Sequence, residues 1–201
     1  MGYFDSEVSE TEYVILRSFY PKAKDLEIKE IMKNTSYSSY ERNNSYLKSL
    51  TKKGVIKEEK IGKTLRYSLI PNNWHSRIAF YLYAKERARK FLEKHKTIAL
   101  ALKELPEEKI DFLAIFGSYA KETEKKDSDV DLICATFKKE EIEKSISSIK
   151  RKFNLDIQAI IMPRTELGKI KKENPEFWND LVNYGRIFMG YDLFYYYAYA
   201  T

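Results

Sequence analysis

The chain has 201 residues, 43% hydrophobic and 14% aromatic. That is enough apolar material for one large or two small cores, and it excludes wholesale disorder. The single cysteine, Cys134, excludes an internal disulfide framework and points to a cytoplasmic protein, and no apolar run reaches membrane-spanning length.

The polar start, Met1-Gly2-Tyr3-Phe4-Asp5-Ser6-Glu7, does not read as a signal peptide. The net charge of +6 is concentrated in one segment, because residues 11–70 hold thirteen Lys or Arg against seven Asp or Glu. The remainder is neutral. A basic segment beside a neutral one is the footprint of a nucleic-acid-binding module.

Within that segment, residues 13–19 read as a first helix closed by Pro21. Residues 26–32 form a short second helix with Ile28, Ile31 and Met32 inward. Residues 38–52 form a third, with Tyr46, Leu47 and Leu50 on one stripe and Gly54 just past its end. Residues 55–60 and 64–69 flank Ile61-Gly62-Lys63, a hairpin signal. Three helices and a basic-tipped hairpin, with Leu47, Leu50, Gly54 and Ile56 at their spacing, resemble a winged helix-turn-helix.

That resemblance implies that the third helix enters the major groove of double-stranded DNA with its N-terminal half toward the bases. Ser38, Ser39, Arg42 and Asn43 are then the exposed contact residues. Arg42 and Asn43 suit base edges and the serines suit phosphates. Lys63 and Arg66 in the wing, with Lys52 and Lys53, would touch the backbone. The bland alternative is a solvated lysine-rich face, or a winged helix that binds protein.

Pro71-Asn72-Asn73 breaks the pattern, and residues 74–93 read as a long helix joining two modules. By analogy with winged-helix proteins this helix suits pairing in a homodimer. His75 and His95 are far apart in sequence and no Cys/His zinc spacing exists. Residues 97–105 form a further helix.

Residues 110–116 are mostly apolar, bounded by Pro106 and Gly117, and suit a buried strand. The Gly117-Ser118 pair at its end permits close approach to the backbone, and a helix over residues 119–125 opened by Ser118 would offer free N–H groups to an anion. After Asp127-Ser128 come Asp129-Val130-Asp131-Leu132. On a strand both aspartates project from one face, about 6.6 Å apart along it. Two like charges so placed call for a cation, and magnesium with substrate phosphates meets that need. An Asp-x-Asp alone is more often a solvated turn; the strand, Gly-Ser, helix and Asp-x-Asp together are far more specific.

Gly117-Ser118, ten intervening residues, then Asp129-Val130-Asp131-Leu132 resembles the signature of the DNA polymerase β-like nucleotidyltransferases, and within them the small "minimal nucleotidyltransferase" branch. The resemblance spans roughly residues 97–194. It implies a third carboxylate on a later strand, for which Asp156 is the well-placed candidate. It also implies two magnesium ions held by Asp129, Asp131 and Asp156, an NTP whose triphosphate lies on Gly117 and Ser118, and Lys121 as a phosphate contact. One departure is Glu122, where the family often has glycine; it sets a negative charge near the phosphate path.

Residues 138–153 read as a helix with Ile142, Ile146 and Ile149 inward, long enough for a crossover between the Asp129/Asp131 strand and the Asp156 strand. A helix carrying Phe177, Trp178, Leu181 and Val182 follows, then a short extended piece at residues 185–190. The aromatic tail from Leu193 to Tyr199 suits packing onto the protein more than stacking on bases.

The expected fold class is α+β. A winged helix-turn-helix occupies residues 1–72, a linker helix 73–95, and a nucleotidyltransferase domain with a mixed sheet 96–201. The expected function is magnesium-dependent transfer of NMP from an NTP to an acceptor. The alternatives are a transcriptional regulator that only senses nucleotide, or an antitoxin-like partner of a HEPN-type toxin.

Overall fold

A computed structural model of the protein describes residues 7–35 and 37–200. The reading of the polar start at residues 1–6 lies outside them. The chain divides into two compact units. The first runs to Tyr83 and takes in Tyr199 and Ala200; the second is Ala84–Ala198. The division falls inside the long helix that the sequence set apart as a linker, rather than at its ends.

In the first unit, helices α1 (Glu10–Arg17), α2 (Ile28–Lys33) and α3 (Tyr40–Lys52) precede the antiparallel hairpin of β1 (Ile56–Ile61) and β2 (Thr64–Leu69). Helix α1 starts three residues before its expected position because Ser9 and Glu12 form a reciprocal capping box. The core gathers Ile15, Leu16, Phe19, Ile31, Leu47, Leu50 and Val55, all fully buried. On α3 the inward stripe is Asn43, Leu47 and Leu50 rather than Tyr46, Leu47 and Leu50.

Glu12 is a charged residue within this core, 3% exposed. It accepts from Lys53 Nζ at 2.6 Å and from Ser49 Oγ at 2.7 Å. Burial opposes its charge, but the hydrogen bonds from Lys53, the Ser9 backbone and the Ser49 and Ser9 hydroxyls together hold its pKa at about 2. A depressed carboxyl pKa contributes stability above the unfolded value that disappears as pH falls through the folded one. Lys53→Met, which strands a buried carboxylate, is expected to cost about 3 kcal/mol at pH 7. The cost should shrink as pH falls from 4.5 toward 2, read by urea titration across that range.

Helix α4 (Trp74–Lys94) carries the chain into the second unit, and α5 (Lys96–Leu102) follows. The second unit is built on a four-stranded mixed sheet of β3 (Phe112–Phe116), β4 (Val130–Ala135), β5 (Ile157–Met162) and β6 (Arg186–Met189), in the order β5-β4-β3-β6. β4 pairs antiparallel to β3 and parallel to β5, and β3 pairs antiparallel to β6. The parallel pair is joined by α7 (Lys139–Phe153), whose Ile142, Ile146 and Ile149 lie on one helical face and are buried.

One face of the sheet presents Leu113, Ile115, Val130, Leu132, Cys134 and Ile157 to α5 and α7 in a shared core. Burial there pushes the Cys134 thiol pKa up to about 12, as befits a packing residue rather than a nucleophile. The opposite face receives α10 (Pro175–Tyr184) and α11 (Tyr191–Tyr195), which follow the short turns α8 (Arg164–Leu167) and α9 (Ile170–Glu173). Phe112 stacks on Phe194 at 5.6 Å, and Phe116 meets Phe177 edge-on at 4.9 Å. In the aromatic tail, Tyr199 packs against Tyr20 and Phe80. No helix among the described residues is long and apolar enough to cross a membrane.

Candidate functional site

The apolar strand β3 runs directly into α6 (Gly117–Lys121), a five-residue helix that begins at Gly117 and not at Ser118, and ends well before the expected residue 125. It stops because Glu122 takes the left-handed conformation, φ 59°, with its N–H on the Tyr119 carbonyl and the Thr123 N–H on the Ser118 carbonyl. That backbone shape favours glycine. Glu122 holds it with its carboxylate on the guanidinium of Arg186, 2.8 Å away and 7% exposed. The negative charge expected near the phosphate path is therefore paired with a buried cation.

Asp131 is the second residue of β4, opposite Phe116, and Asp129 lies just before the strand. Val130 and Leu132 are buried while Asp129 and Asp131 are partly exposed, the alternation that puts both carboxylates on one face. Gly117 explains how close the turn comes. Its φ is +67°, and a Cβ built on it would fall 1.9 Å from Asp131 Oδ2. The carboxyl of Asp131 thus lies directly against the Gly117 backbone. Burial raises its pKa, and the negative charge of Asp129 raises it further.

Asp156 is carried to the same end of the sheet. It precedes β5 as Asp129 precedes β4, and its carbonyl accepts from Val130 N–H at 2.7 Å. Its side chain, 64% exposed, faces Lys150 Nζ at 3.4 Å and Gln158 Nε2 at 3.5 Å. The residue directly paired with Asp131 is Gln158. Among the described residues no group of three or more His, Cys, Asp or Glu side chains is arranged to hold a metal. The Asp156 carboxylate lies beside Lys150, and the described residues do not gather it into one cluster with Asp129 and Asp131. The pair Asp129 and Asp131 still fits a hard cation. Magnesium takes one or two carboxylates and completes its shell with water and phosphate oxygens, and a half-buried carboxyl beside a second negative charge is relieved by it.

Ser118 sits in the first turn of α6, partly exposed beside Gly117. Lys121 is held by α10. Its Nζ lies 2.5 Å from Asp180 Oδ2 and 5.4 Å from the centre of the Tyr184 ring, both on α10. Arg186 and Asp180, which hold Glu122 and Lys121, were not anticipated. An arginine at the head of a short apolar stretch was the only sequence signal for the first, and the second had none.

In the first unit, Ser39 caps α3 by accepting from Arg42 N–H, Ser38 is exposed, and the Arg42 guanidinium lies 4.8 Å from the centre of the Tyr37 ring. Asn43 is not exposed as expected. It is fully buried, its Nδ2 donating to the Tyr37 and Ser39 carbonyls, and so fastens the segment that leads into α3. Lys52 and Lys63 are exposed. Lys53 is bound to Glu12, and Arg66 donates to the Asp25 carbonyl and to Glu27.

Residues 87–192 match the family described as "Polymerase beta, Nucleotidyltransferase". No curated protein and no solved structure matches the chain.

Proposed function

Because the chain belongs to the polymerase β nucleotidyltransferase family, we propose that it transfers a nucleoside monophosphate from an NTP to an acceptor hydroxyl and releases pyrophosphate. The observation that carries this reading is the half-buried Asp131 carboxyl lodged against Gly117 with Asp129 beside it. Magnesium held by these two aspartates would supply charge neutralisation for the phosphates. Gly117 and Ser118, at the turn between β3 and α6, would seat the triphosphate where the backbone is bare. Asp156 is the third carboxylate in this reading. Leaving Lys150, it would accept the proton of the acceptor hydroxyl as that oxygen bonds to the α-phosphorus and the α–β bridge breaks. Lys121, tied to Asp180, would reach a phosphate only by giving up that ion pair.

The test is magnesium-dependent transfer of label from α-labelled NTP to nucleic acid and to protein acceptors. Transfer that Asp129→Asn abolishes supports the reading. No transfer to any acceptor, alongside tight binding to duplex DNA, supports a regulator instead.

The first unit is read as a winged helix-turn-helix that binds double-stranded DNA. The support is the element order of α1 to β2 and the exposure of Arg42, Lys52 and Lys63. Replacing those three with Gln is expected to lower the slope of log affinity against log salt by about 3, near one unit for each phosphate contact. Arg66→Gln should change it less, since Arg66 is held by Asp25 and Glu27. An unchanged slope in the triple variant, measured by fluorescence anisotropy, removes the DNA-binding reading.

A further inference from the structure

Among the described residues no strand covers the edge of the sheet at β5, and that edge has an unusual composition. Edge strands generally protect themselves with charge, brevity or proline. Strand β1 follows this rule with Lys57, Glu58, Glu59 and Lys60 in a row, and β6, the other edge of the four-stranded sheet, is only four residues long and opens on Arg186. β5 does neither. Its six residues, Ile157-Gln158-Ala159-Ile160-Ile161-Met162, carry no charge, and Ile160 is 42% exposed.

The hydrogen-bond pattern fixes which groups of β5 remain open. Val130 N–H donates to Asp156 O and Thr136 N–H to Met162 O, in a parallel register that pairs Val130 with Ile157. In such a ladder alternate residues of β5 bond to β4, so the even-numbered ones are used. The N–H and C=O groups of Ile157, Ala159 and Ile161 therefore point out of the sheet.

We propose that β5 pairs antiparallel with β5 of a second copy of this chain, about a two-fold axis at Ala159. The three outward residues are symmetric about Ala159. Such an axis opposes Ala159 to itself and Ile157 to Ile161 of the second copy. Each of these pairs exchanges two hydrogen bonds, so no outward group is left over. Charge does not oppose the contact, because neither strand has any between residues 157 and 162. Gln158 and Ile160 lie on the face of Asp131, where Ile160 of one copy meets Gln158 of the other. The axis is perpendicular to the joined sheet, so both copies present Asp129 and Asp131 on the same face. A single strand pair is a small contact beside the roughly 2,000 Å² or more of a permanent interface, so the association is expected to be weak and to depend on concentration.

The test reads backbone amide exchange of the full chain by NMR, with mass from sedimentation equilibrium. Between about 5 µM and about 500 µM protein, the amides of Ile157, Ala159 and Ile161 are expected to slow by at least about tenfold, while Gln158, Ile160 and Met162 stay protected throughout. Ala159→Pro removes one outward donor and leaves the bonds to β4, so it should abolish the concentration dependence and give a monomer. Ile160→Lys, which changes only an exposed side chain, should weaken the pairing in the same direction and serves if the proline variant does not fold. Equal, unprotected exchange of the three outward amides at both concentrations overturns the proposal, as does concentration-dependent mass unchanged in both variants. A strand from a different protein as the true occupant would give the first of these results. The outcome is independent of whether the chain transfers nucleotides.

Discussion

Asp131→Asn is expected to raise the thermal midpoint of the cation-free protein at neutral pH while removing nucleotidyl transfer. The two effects have one cause. Burial and the neighbouring Asp129 charge both raise the Asp131 pKa, so the folded state holds the proton more tightly than the unfolded chain. A group of that kind favours folding at low pH, and the advantage is lost as pH rises through the folded value. At pH 7 the ionised carboxyl is a cost to the fold, and the neutral amide of the same shape removes it. A gain on the order of 1 kcal/mol would move the midpoint by roughly 2–4 °C in a chain of this size.

If the proposed site holds magnesium, the ion should reverse the ranking, because binding to the folded wild type would stabilise it and the variant would offer less to bind. Transfer should fall by at least about a thousandfold, the equivalent of the several kcal/mol of charge stabilisation a metal supplies. Scanning calorimetry with and without magnesium, at pH 4 and pH 7, separates the parts. If Asp131→Asn lowers the midpoint of the cation-free protein at pH 7, the carboxyl is a structural hydrogen-bond partner and not a strained ligand.

The end of the sheet that carries Asp129 and Asp131 was legible because its signal is local. The strand, the Gly-Ser turn and the alternation of Asp129, Val130, Asp131 and Leu132 each follow from spacing alone, and the sheet delivers them as read. What could not be read depends on partners far away in sequence. Glu122 ends α6 early through its left-handed backbone, and only Arg186, 64 residues on, shows why its charge is tolerated. Asp156 arrives at the same end of the sheet as Asp129, but its carboxylate lies beside Lys150, a neighbour that spacing alone does not name. In the first unit the order of elements was plain, while individual side chains were not. Asn43 has the composition of a DNA contact, yet it is spent on the Tyr37 and Ser39 carbonyls, and Lys53 is spent on Glu12. Charge counts describe a surface only after such internal pairs are subtracted.

Gly117→Ala is expected to cost transfer about a hundredfold or more, even where the protein still folds. Two penalties act together. The residue sits at φ +67°, where a Cβ costs roughly 1–2 kcal/mol. The Cβ would also occupy space 1.9 Å from Asp131 Oδ2, so the carboxyl must move by an ångström or more before any side chain fits. A displacement of about 1 Å at a reacting centre is worth about a hundredfold in rate. Gly62 supplies the control. It has nearly the same φ, +64°, at the tip of the β1–β2 hairpin, with nothing within 4 Å of its Cβ position. Gly62→Ala therefore carries the backbone strain without the collision. Its thermal midpoint should fall as a result, while turnover by the remaining folded protein stays near wild type. The comparison is made by rate per folded molecule, with the folded fraction from circular dichroism. Equal turnover in the two variants would mean that the Asp131 carboxyl does not need its place against the turn, and the site as read here would lose its central contact.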